Sequence, residues 1–236
     1  MESRDLKDSE QKRYFASFTV EAIDTNEGTR DMFPLAPFVI SGGKNTERYY
    51  FLHVNELSDK YKFTVKPEYF GDESDYTTVF PYRISRILKT NADAKIYCVF
   101  DMDAVFRDGT LEKHKYFVKS LKSKIEEGSV VMCDSMPSFE FWLLLHFVDH
   151  VGLLKNYSEV SQLLAPYLKP YFEGGVSARF KKVIKKEDFL KESGWVRKLL
   201  DEGRIEKAVE RAKHNYELEM EEKGKHSYSM VFKMFE

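Results

Sequence analysis

Four short apolar runs, separated by stretches of helical pattern, constrain this chain more than any other feature. Leu35–Ile40, Tyr61–Val65, Ile96–Phe100 and Ser129–Cys133 are rich in β-branched and aromatic residues or alternate in polarity. Each reads as a strand, and Ile96–Phe100 as a buried one. Between them, Thr46 opens a helical pattern over Glu47–Leu57, with Tyr50, Phe51, Val54 and Leu57 at helical spacing. Thr78–Leu88 and Leu111–Ile125 continue the alternation, with Pro81 expected in the first turn of the former, where proline is tolerated. Such alternation predicts an α/β fold: a mostly parallel four-stranded sheet with right-handed crossovers and helices on both faces.

The pattern changes after Cys133. Pro137–Val148 is almost wholly apolar and reads as a buried helix. Leu153–Phe235 is charged and mostly helical in pattern, with a long run over Glu187–Glu222 and a short terminal helix over Ser227–Phe235. Residues 1–34 are polar, with Phe15–Ile23 as a candidate edge strand. The expected organisation is an N-terminal arm (1–34), an α/β domain (35–150) and a helical C-terminal region (151–236).

At 236 residues with 42% apolar side chains, the chain is long enough for a sizeable core. A formal charge of −2 argues against a general nucleic-acid coat protein, though not against a local basic face. Cys98 and Cys133 each lie in a predicted strand and are expected to be buried free thiols. No stretch reaches membrane-spanning length and the first residues are too polar for a signal peptide, so a soluble, cytoplasmic protein is expected.

Three segments carry candidate chemistry. Gly42-Gly43-Lys44 lies between a predicted strand and a predicted helix, where glycines admit an anion to the backbone and the helix N-terminus favours negative charge. This is not a Walker A loop; the alternative is a tight turn with Thr46 as N-cap and Glu47 in the first turn. Asp101 and Asp103 leave the third strand together, with Asp108 nearby. Paired carboxylates repel unless a cation or proton lies between them, and Mg²⁺ needs few carboxylates because it keeps its waters. Glu140 and His146 are the ionisable residues of the apolar run Pro137–Phe147, and helical spacing puts them on different faces. A helix-start carboxylate and a satisfied core histidine are the plain readings of the two. A fourth feature is the basic run Arg179, Lys181, Lys182, Lys185 and Lys186, flanked by Tyr171, Phe172 and Phe180. It suits a nucleic-acid backbone, or a solvated helix face.

Taken in order, these segments resemble the RloB-like (AbiLii-like) family. Its first motif, Glu-Gly-x-x-Thr-Glu-x-x-Tyr-Phe, corresponds to Gly42–Phe51; its Phe-Asp-x-Asp corresponds to Phe100–Asp103. Its third and most specific motif, Ser-Asn-Pro-x-Phe-Glu-x-Trp-Leu-Leu-Leu-His-Phe, corresponds to Ser135–Phe147, with Met136 in place of Asn. The resemblance implies a Toprim/Rossmann-like sheet with a helical C-terminal extension. It also implies a Mg²⁺- (or Mn²⁺-) dependent nuclease component of a bacterial restriction or phage-defence system. An AAA ATPase (RloA-like) would be its partner, and DNA or RNA its substrate. Asp101 and Asp103 would hold the metal, with Glu47 and Glu140 completing the catalytic set and Gly42, Gly43 and Lys44 on phosphate. In one respect the chain departs from the family: the first glutamate of the pattern stands at Gly42. Either Glu47 takes over its role, or the protein binds nucleic acid or senses a partner without cutting.

Overall fold

The computed structural model describes residues 36–43, 45–66, 76–107, 110–169 and 187–236. Lys44, Asp108, the expected strand at Phe15–Ile23 and the basic run Arg179–Lys186 lie outside the described residues.

Five strands form one sheet in the order β2-β1-β3-β4-β5. They are β1 (Phe38–Ser41), β2 (Thr64–Lys66), β3 (Ile96–Asp101), β4 (Val130–Met136) and β5 (Tyr228–Ser229). The first four are parallel, as the alternation predicts. The fifth is an addition: β5 pairs antiparallel with the end of β4, Ser135 opposite Ser229 and Met136 opposite Tyr228. The expected terminal helix is therefore a two-residue strand followed by a 3-10 turn, Met230–Met234. Its apolar residues face a core, which local periodicity cannot distinguish from a helical stripe.

Helices cover both faces, and strand alternation decides which residues meet them. On one face, Val39, Tyr97, Val99 and Cys133 pack against α1 (Thr46–Leu57) through Tyr50, Phe51 and Val54. The same core takes in later elements of the chain: α6 (Glu140–Leu145), α7 (Tyr157–Leu168), α9 (Gly194–Leu200), α10 (Arg204–Glu221) and the final turn. On the other face, Ile40, Ile96, Cys98, Phe100 and Val130 meet α2 (Tyr76–Thr90), α3 (Met102–Arg107) and α4 (Leu111–Ser120). Val99 pairs with Cys133, so the neighbouring Cys98 points to the opposite face. Both cysteines are buried and free, and burial pushes both thiols up.

Three boundaries move from their expected places. Pro81 lies in the second turn of α2, because the helix begins at Tyr76. The helix expected over Leu111–Ile125 breaks at Leu121 into α4 and α5 (Lys122–Glu126). The long run from Glu187 divides into α8 (Glu187–Lys191), α9 and α10, with the left-handed Gly203 (φ 67°) immediately before α10. Among the described residues no helix is long and apolar enough to cross a membrane.

Candidate active site at the switch point

β1 has β2 on one side and β3 on the other, so the crossovers leave it in opposite directions. Open α/β sheets bind ligands in the crevice beyond the carboxyl ends of two such strands. The residues that leave those two ends here are Gly42-Gly43 after β1 and Asp101 and Asp103 after β3.

The first segment is drawn tightly against the second. Gly42 N–H donates to the Val99 carbonyl at 2.7 Å, and the Ser41 hydroxyl to the Gly43 carbonyl at 3.0 Å. A side chain at Gly43 would run into the Glu47 carboxylate, which folds back over that glycine. Glu47 is 7% exposed. Asn45, not Thr46, is the N-cap of α1, and Thr46 begins the helix as a buried residue.

The third motif closes on the second. Asp101 Oδ1 accepts from the Phe139 N–H at 2.8 Å, and the Asp103 N–H donates to the Pro137 carbonyl at 3.0 Å. The loop between β4 and α6 thus seats the Asp101–Asp103 step with two hydrogen bonds. The step is not an open loop: α3 starts at Met102, placing Asp103 in its first turn, where the helix dipole favours a carboxylate. Asp101 lies opposite Ser135 in the sheet, and Ser135 shares a 2.8 Å hydrogen bond with Ser229 of β5.

Glu140 is 2% exposed and takes a hydrogen bond from the Ser138 hydroxyl at 2.7 Å. A buried carboxylate without partners would cost several kcal/mol. The Tyr157 hydroxyl is held well above its usual range, first by burial and then by the Glu140 charge. Ser138 fills the unspecified position of the most specific motif, so nothing in the sequence marks it as the partner of Glu140. Ser135 opens that motif, but its partner Ser229 lies 94 residues further on and no local pattern joins the two.

His146 is a core residue. It lies fully buried beside Trp142, ring centroids 4.8 Å apart, and its Nδ1 donates to the Trp142 carbonyl at 2.9 Å. Burial pushes its pKa down to about 3, against a smaller upward pull from the Trp142 carbonyl. The unfolded chain takes up this proton near the ordinary histidine value of ~6.5. Between pH 6.5 and 3, unfolding therefore binds a proton and acid favours the unfolded chain. Urea denaturation at pH 7 and pH 5 should show a loss of ~2 kcal/mol from this residue alone. His114 and His150, both lowered by burial, act in the same direction. Asp134, raised by burial, acts against them, its contribution being present in acid and lost as pH rises.

Among the described residues no three histidine, cysteine or acidic side chains form a group that could hold a metal ion. At the switch point stand two carboxylates, Asp101 and Asp103. Such a pair suits Mg²⁺, which is bound through one or two carboxylates and retains waters. Glu47 and Glu140 stand at the starts of α1 and α6, each facing its own loop.

The fold is that of a doubly wound α/β protein, with two carboxylates, Asp101 and Asp103, leaving β3 at its topological switch point. A family model described as RloB-like protein matches residues 38–236, and the chain belongs to that family. No curated protein and no solved structure matches it.

Proposed function

We propose that this protein is a Toprim-type, Mg²⁺-dependent phosphodiesterase, the nuclease component of a cytoplasmic defence system that works with an AAA ATPase on DNA or RNA. The observation that carries the reading is the seating of Asp101 and Asp103 at the switch point by the Pro137–Phe139 loop. When bound, the metal would polarise a phosphodiester and lower the pKa of a water. Asp101 and Asp103 would hold it, and the Phe139 N–H donates to Asp101 Oδ1, which orients that carboxylate in advance. Gly42, without a side chain beside β3, is where a phosphate would approach the backbone, since the Glu47 carboxylate covers Gly43.

Gly42 favours a second reading, a subunit that binds nucleic acid without cutting it. The two readings separate in one substitution. A Cβ at Gly42 would meet Phe100 Cβ at 3.4 Å and the Val99 carbonyl oxygen at 3.5 Å, ordinary contact distances. Gly42→Glu should leave the melting temperature within a few degrees. Single-stranded and duplex DNA, RNA and tRNA are incubated with each protein in Mg²⁺ or Mn²⁺. Cleavage by the unmodified chain, raised about tenfold or more by Gly42→Glu, supports the nuclease. Cleavage only after the substitution supports the second reading, and cleavage by neither sinks both the metal site and the Toprim assignment.

A further inference from the structure

The break between α4 and α5 leaves a groove that the proposed chemistry does not use. At Leu121 the chain turns, and Val118 from α4 and Ile125 from α5 come to line one open concavity of about 500 Å³. Its lining is almost entirely apolar, formed by these two side chains and by the stems of Lys115, Lys119 and Lys122. His114 stands at one end, its Nδ1 joined to the Tyr76 hydroxyl at 2.8 Å.

The charge around the groove runs against that of the chain. Leu111–Glu126 carries five lysines and two glutamates, a net of +3, whereas the whole protein carries −2. Lys115 is bridged to Glu112 at 2.8 Å, and Lys122 to Glu126 at 3.7 Å, both pairs well exposed. Exposed pairs of this kind are worth little and exchange readily for another carboxylate. Tyr116, 76% exposed, stands one turn before Lys119 on the same helix. An apolar floor with a lysine rim matches an amphipathic helix that carries apolar side chains on one face and carboxylates beside them. A nucleic-acid backbone would meet the lysines but leave the apolar floor uncovered.

We propose that the α4–α5 groove is a docking site for an acidic amphipathic helix of a partner protein. Its lining includes neither Asp101 nor Asp103, and it does not depend on the nuclease reading. The probe is a fluorescein-labelled peptide of about 18 residues with leucines at i, i+3, i+4 and i+7 and glutamates on the flanking positions. Fluorescence anisotropy with the full chain should show saturable binding at micromolar concentration. The double substitution Lys119→Glu with Lys122→Glu, at two exposed positions, should weaken it at least about tenfold while leaving the melting curve unchanged. A peptide with lysine in place of every glutamate, and a scrambled peptide of the same composition, should not bind. Absence of saturable binding, equal binding of the scrambled peptide, or indifference to the double substitution overturns the proposal. So does a result in which the substitutions abolish binding of labelled single-stranded DNA while the acidic peptide binds as before.

Discussion

Asp101→Asn should lower metal-dependent cleavage by a factor on the order of 10²–10³ with little effect on the fold. The substitution is chosen for what it keeps. Asparagine retains a side-chain carbonyl oxygen, and so an acceptor for the Phe139 N–H that now binds Asp101 Oδ1 at 2.8 Å. What it removes is the negative charge. If the carboxylate serves mainly to anchor the Pro137–Phe139 loop, the asparagine protein should behave as the parent. If it holds a cation, Mn²⁺ binding followed by electron paramagnetic resonance should weaken at least about tenfold, and cleavage should fall with it. The melting temperature serves as control and should move by no more than a few degrees. Unchanged cleavage and unchanged Mn²⁺ binding would remove Asp101 from the site and take the metal assignment with it.

A chain shortened to end at Ser227 should fail to fold. The missing residues include Met230, Val231, Phe232, Met234 and Phe235, each no more than 6% exposed. Phe235 stacks on Trp142 at 5.3 Å and meets Tyr61 edge-on at 4.9 Å. Burial of such side chains is worth ~1.5–3 kcal/mol each. Together they approach the whole stability of a typical domain, ~5–15 kcal/mol. Loss of the near-ultraviolet circular dichroism and of a cooperative urea transition is the expected result. Glu236→Ala is the matching control. Its ion pair with Lys213, 2.7 Å long, is half exposed at both ends, and its loss should cost under ~1 kcal/mol. A shortened chain that still melts cooperatively near the parent midpoint would show that the sheet and its helices close a core without the terminal segment.

What was legible in the sequence was whatever is decided locally. The apolar runs at Phe38–Ile40 and Ile96–Phe100 are strands because they are buried on both faces, and unbroken β-branched and aromatic sequence says so. β4 extends three residues past its expected end at Cys133, through Asp134, Ser135 and Met136. Those residues are polar or flexible, and they are strand because Phe100 and Asp101 pair with Asp134 and Ser135. The same limit explains the site. Asp101 and Asp103 stood out beside an apolar strand. Their tie to Pro137 and Phe139 did not, since backbone groups leave no mark in composition. Six-residue α3 leaves no mark in the sequence because so short a helix shows no period. The terminal segment was read as helix because its strand partner lies about ninety residues earlier.

The placement of β5 and the final turn also governs the order in which this molecule can assemble. The four parallel strands are complete once Met136 has been made, but the face carrying Tyr50 and Trp142 waits for Phe235. At synthesis rates of ~5–20 residues per second, roughly a hundred further residues correspond to about 5–20 seconds with that face uncovered. The Ser135–Ser229 contact beneath Asp101 likewise forms only then. A nascent chain thus carries Asp101, Asp103 and their Pro137–Phe139 seat long before Ser229 arrives to hold Ser135, the sheet neighbour of Asp101.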